Sequence, residues 1–118
     1  MKDNIVLDKS FEFAIRVVNL HKHLCDSKKE YILSKQLLRS GTSIGANINE
    51  AQAAQSKKDF IAKMSIASKE ARESKYWIEL LIKTDYLDKD KYTQSLLDES
   101  YELIRLLTSI IKSSQIDE

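Results

Sequence analysis

The chain has 118 residues, a net charge of +1, 31% charged side chains, no proline and two glycines, Gly41 and Gly45. That length suits one domain, 1–118, around a single core, and the scarcity of helix breakers and turn formers excludes most β architectures. The lone cysteine, Cys25, excludes an intrachain disulfide; no stretch reaches the ~18 apolar residues of a membrane span, and the amino terminus lacks a signal-type apolar run, so a cytoplasmic location without a membrane partner is expected.

The first helix is expected over 9–26, capped by Asp8, with Glu12 placed where the helix dipole favours an anion. It carries two apolar stripes. Phe11, Ala14, Ile15, Val18 and Cys25 share one side, and Phe13, Val17, Leu20 and Leu24 lie roughly 120° away. Two stripes imply that the helix buries more than its own bundle covers, and Phe13, Val17, Leu20 and Leu24 are the candidates for an oligomer interface.

Ser27 to Glu30 reads as a capping box that opens a second helix over 28–55, with Leu33, Leu37, Ile44, Ile48 and Ala51 on its core face. Within it, Gln36 to Glu50 is rich in small residues that helix propensity alone would not select. Gly41 and Gly45 share one shoulder, while Ser40, Ser43 and Asn47 share the other. This pattern is either a docking face for another copy or a fit to a neighbouring helix in the same bundle. On the first reading, Gly41 and Gly45 join the interface set.

Ser56 with Asp59 repeats the box and opens a third helix over 57–83, whose core stripe is Phe60, Met64, Ala67, Ala71, Ser74 and Ile78. Ile66 and Trp77 project elsewhere and read as interface anchors, because tryptophan dominates such contacts. A fourth helix, expected over 89–112 behind Asp88, presents Tyr92, Leu96, Leu103, Ile104, Leu107, Ile110 and Ile111. Residues Ser113 to Glu118 are expected to fray. Short connections make the whole an all-α, antiparallel up-down-up-down four-helix bundle.

Little in the chain suggests catalysis. His21 and His23 diverge by about 200° on a helix, and neither follows an acidic residue by three positions, so no shared metal is expected. Cys25 lies in line with Phe11 and Val18 and reads as a small core residue. Glu70 with Glu73, and Glu99 with Glu102, read as partners in surface ion pairs such as Glu102 with Arg105. The expectation is a protein without enzymatic activity, cofactor or metal.

Charge is uneven along the chain: residues 1–83 hold 15 Lys and Arg against 10 Asp and Glu, whereas residues 84–118 hold 4 against 8. Lys35, Arg39, Lys63, Lys69, Arg72 and Lys75 form the basic set of the middle helices, the residue types that phosphate contacts require.

One family resemblance spans nearly the whole chain. It is carried by the aromatic and aliphatic opening of the first helix, then Gln36-Leu37, Arg39-Ser40, Ser43-Ile44, Asn47-Ile48 and Glu50, then Lys58-Asp59-Phe60 and the Ala67 to Glu73 stretch. In these the chain resembles the 23S rRNA-intervening-sequence proteins, which are similar to the accessory variability determinant proteins of diversity-generating retroelements. The family usually has glycine where this chain has Ala51, which suggests that the second helix continues there. The resemblance implies a homopentameric barrel, an association with RNA or another nucleic acid, and, by the retroelement relatives, a reverse-transcriptase partner. On that likeness Lys35, Arg39, Lys63 and Arg72, with Lys75 beside them, are the candidate RNA-facing residues.

Overall fold

The computed structural model describes residues 5–116, which form four helices and no strand: α1 (Ile5–Lys28), α2 (Leu33–Ala51), α3 (Lys57–Lys83) and α4 (Lys91–Ile116). Consecutive helices run antiparallel, α4 closes back on α1, and the bundle measures 48 × 21 × 21 Å. This is the expected up-down-up-down bundle. The α2–α3 seam is the closest and the α1–α4 seam the most open.

The helix ends depart from expectation for local reasons. Ser27 does not open α2. It stays in α1, which ends at Lys28; Lys29 follows in the left-handed region with φ of 56°, and the Glu30 amide returns to the Leu24 carbonyl at 3.1 Å. Glu30 itself does the capping. Its carboxylate accepts the amides of Ile32, Leu33 and Ser34 at 3.2, 3.0 and 2.7 Å, and Ser34 Oγ donates to the Glu30 carbonyl at 2.9 Å. These are donors that a helix start otherwise leaves unpaired. Burial pushes the Glu30 carboxyl up, but the hydrogen bonds from Leu33, Ser34 and Ile32 outweigh it and hold the group below the ordinary carboxylate range.

Nor does α2 continue past Ala51, despite the missing glycine. The amides of Gln52, Ala53 and Ala54 turn to carbonyls three residues back, at 3.2, 3.1 and 3.1 Å, so the last turn tightens and releases the chain. The third helix begins and ends as expected. Ser56, in extended conformation, accepts the Asp59 amide at 3.0 Å. Ser56→Ala should therefore lower stability by about 1 kcal/mol in urea unfolding; an unchanged midpoint would mean that the cap contributes nothing. At α4 the cap is Asp90 rather than Asp88, accepting the Thr93 amide at 2.8 Å, and that bond holds the Asp90 carboxyl below its usual range. The helix persists through Ile116, beyond the expected fraying point, and residues 117 and 118 lie outside the described residues.

The core corrects the reading of α1. Phe13, Val17, Leu20 and Leu24 are buried within the single chain, in one core with Ile44, Ile78, Leu96 and Leu103 among others, so they are taken up by the chain's own core rather than offered to another copy. The other stripe lies outside: Phe11 is 66% exposed and Ile15 48%. Tyr92 also departs from expectation, since it stands at the surface beneath the Arg16 guanidinium rather than in the core.

The small residues of α2 bring helices together inside the bundle. A Cβ on Gly41 would stand 2.9 Å from both γ-carbons of Val17, and one on Gly45 would stand 3.2 Å from Ser10 Oγ. On the opposite shoulder Ser74 Oγ donates to Ser40 Oγ at 2.9 Å in a fully buried pair. Gly41 thus thins α2 to admit α1, and of the two readings the intrachain fit accounts for it.

Candidate functional site

The basic residues expected to face RNA do not form an open cationic surface. Arg39 reaches across to α3 and pairs with Glu73 at 2.6 Å and Glu70 at 3.8 Å. Lys63 reaches back to α2 and pairs with Glu50 at 2.8 Å, a hydrogen bond that raises its pKa. Lys75 lies 4.8 Å above the Tyr101 ring. Lys35 and Arg72 are exposed and have no ion-pair partner among the described residues, as is true of Lys69. Each acid that neutralises Arg39 or Lys63 comes from the neighbouring helix, so reading one helix at a time could not reveal the pairing. Glu102 likewise pairs with Lys9 of α1 at 3.4 Å instead of Arg105.

Trp77 is not an exposed anchor. It is half-buried against the core, its indole N–H donates to Glu73 at 3.1 Å, and its ring meets the edge of Tyr76. Ile66 is outside, at 41% exposed.

Cys25 is half-buried, with Sγ 3.7 Å from a ring nitrogen of His21, whose other nitrogen lies 3.0 Å from Ser34 Oγ. The i,i+4 spacing of His21 and Cys25 was the signal for this contact. Among the described residues no group of His, Cys, Asp and Glu is arranged to hold a metal ion. No described helix is long and apolar enough to cross a membrane.

Among the grooves the fold leaves open is one of about 750 Å³ along the outer side of α1 and α2. Leu7, Phe11 and Ala14 form one wall, and Thr42, Gly45, Ala46 and Asn49 form the other. The floor is low because Gly45 and Ala46 carry almost no side chain. Asp8 and Glu12 stand along the α1 rim, exposed and without an ion-pair partner among the described residues. Apolar surface of this kind, contiguous and edged by charge, marks interaction sites more often than isolated exposed residues do.

Fold and surface together define an antiparallel four-helix-bundle protein with an apolar groove along α1 and α2. The chain belongs to the family described as 23S rRNA-intervening sequence protein, which matches residues 2–109. It is similar to the crystal structure of a protein of unknown function from the S23 ribosomal protein family of Bacteroides thetaiotaomicron VPI-5482, with 58% identity and a TM-score of 0.90 over 95% of this chain and 99% of that one. No curated protein matches.

Proposed function

We propose that this protein is a non-enzymatic, self-assembling helical scaffold that works in the cytoplasm and associates with RNA. The observation that carries self-assembly is the α1–α2 groove, where the Phe11 ring stays in water beside half-buried Leu7 after the chain has completed its own core. The family resemblance supports a ring of five and RNA as the nucleic acid. For RNA the supporting residues narrow to Lys35, Arg72 and the neighbouring Lys69, because Arg39 and Lys63 already hold acidic partners.

The test is light-scattering mass at low and moderate salt, with and without a labelled structured RNA followed by anisotropy. A scaffold held by apolar contact keeps its mass as salt rises. RNA affinity should fall linearly on a log–log plot, with a slope of roughly −0.7 to −0.9 per phosphate neutralised. Affinity that ignores salt, or no binding, removes RNA from the proposal, and a monomer removes the scaffold. The groove supports a second reading too, an adaptor for a protein partner such as a reverse transcriptase. In that case the protein is monomeric alone and gains mass only with the partner.

A further inference from the structure

We infer that the turn between α1 and α2 is a stacking site for an unpaired RNA base, with Tyr31 as its platform and Lys28, Lys29 and Lys35 as its phosphate contacts. This rests on the RNA reading above and names the kind of RNA and the residues that take it. Tyr31 and Ile32 are 55% and 74% exposed, although Glu30 and Ser34 on either side of them are buried. The turn itself holds them out. Lys29 takes a φ of 56°, the Glu30 carboxylate gathers the amides of Ile32, Leu33 and Ser34, and the Gln36 amide returns to the Ile32 carbonyl at 3.3 Å. A backbone fixed before binding loses little freedom when a ligand arrives, which is how a pre-organised contact gains affinity.

Charge points to the occupant. From Lys28 to Lys35 the chain has three cations and one acid, and that acid, Glu30, is turned inward to its amides. Lys28, Lys29 and Lys35 are exposed, and none is in an ion pair among the described residues. Lys29 Nζ donates to the Asp26 carbonyl at 3.1 Å, which keeps it on the turn. The return of the Gln36 amide sets Lys35 one turn from Tyr31, so the ring and the ammonium groups share one end of the bundle. An aromatic face among lysines is the combination that binds single strands, the ring stacking a base and the cations following the backbone. A duplex fits poorly, because its bases already stack on one another and the major groove of A-form RNA is too narrow for side chains. A lipid surface fits poorly as well: Tyr31 and Ile32 are two side chains, and even a single myristoyl chain holds a membrane only marginally.

The test compares, by anisotropy, a labelled hairpin RNA with an unpaired purine loop and a blunt duplex of the same stem. The wild type should prefer the hairpin. Tyr31→Ala should weaken hairpin binding at least about fivefold, the loss of one base stack, with duplex binding, salt slope and helical circular dichroism unchanged, and Tyr31→Phe should keep the wild-type affinity. A fluorescent base analogue in the loop should be quenched by the wild type and not by Tyr31→Ala. K28Q/K29Q/K35Q should flatten the log–log salt slope by about 2, at roughly 0.7 per phosphate contact on a single strand. Hairpin binding unchanged in Tyr31→Ala, an equal loss on hairpin and duplex, or a wild-type slope in the triple variant overturns this site while leaving RNA association intact. A wild type that binds neither RNA overturns both. Capture on phosphatidylserine vesicles that Tyr31→Ala abolishes gives the turn to a lipid surface and likewise overturns the site.

Discussion

Replacing Gly41 by valine is expected to remove about 3 kcal/mol of stability, near the top of the range for overpacking. The new Cβ would lie 2.9 Å from the γ-carbons of Val17 and 3.2 Å from its Cβ. Val17 cannot turn away, since a β-branched side chain in a helix has essentially one χ1 well, and it is fully buried. Even alanine, which relieves the ~1 kcal/mol helical penalty of glycine, should lose more to the clash than it gains. Val17→Ala alone should cost about 2 kcal/mol through the cavity it leaves. Combined with Gly41→Val, it should be less harmful than the two separate losses by about 1–2 kcal/mol, the coupling expected of residues in contact. Urea midpoints of the four proteins give the cycle, and simple additivity would show that the α1–α2 approach is not set by this pair. Gly45 supplies the contrast. Its nearest neighbour is a hydroxyl at 3.2 Å, so Gly45→Ala should change stability far less.

The second large effect is expected at Glu30. Glu30→Ala strips three backbone amides of their acceptor at the start of α2, and the Ser34 amide among them is buried away from water. A loss of about 2–4 kcal/mol follows, because a buried donor left unpaired costs about 1–3 kcal/mol. The same group makes stability depend on pH. Its folded pKa is depressed below the ordinary carboxylate range, so the unfolded chain takes up the proton first as acid is added. The contribution is therefore whole above the unfolded pKa and is lost as pH falls through the lower, folded one. Thermal unfolding of the wild type and Glu30→Gln compared at neutral pH and in acid measures this. Curves that stay parallel down to the acid limit would mean that the carboxylate charge at Glu30 plays no part.

Much of this architecture is legible residue by residue. Period-3.6 stripes mark α2, α3 and α4, and Ser56 with Asp59 marks the start of α3. The stripes on α1 fail in an instructive way, since periodicity finds two apolar faces and cannot say which one turns inward. That is decided by α2, whose Gly41 leaves room for Val17 and so draws the Phe13 stripe inside. The Ser27 box misleads because a capping pattern records residue types, while here a glutamate at the turn satisfies the amides by itself. The basic surface is illegible for a third reason. Arg39 and Lys63 look free along their own helices, and their partners Glu73 and Glu50 lie 34 and 13 residues away in the chain.

Arg16 sits on the most open seam, where its guanidinium binds Glu99 at 2.7 Å, Ser95 Oγ and the Tyr92 carbonyl at 3.1 Å each, and covers the Tyr92 ring. It acts as a latch between the first and last helices. All other neighbouring helices are joined by short connections, so α1, α2 and α3 can zip together in order as the chain is made, and only the return of α4 must span the sequence. Contacts so local favour rapid folding. They also single out α4 as the helix that detaches first in the native state, with its amides exchanging hydrogen sooner than those of the α2–α3 pair.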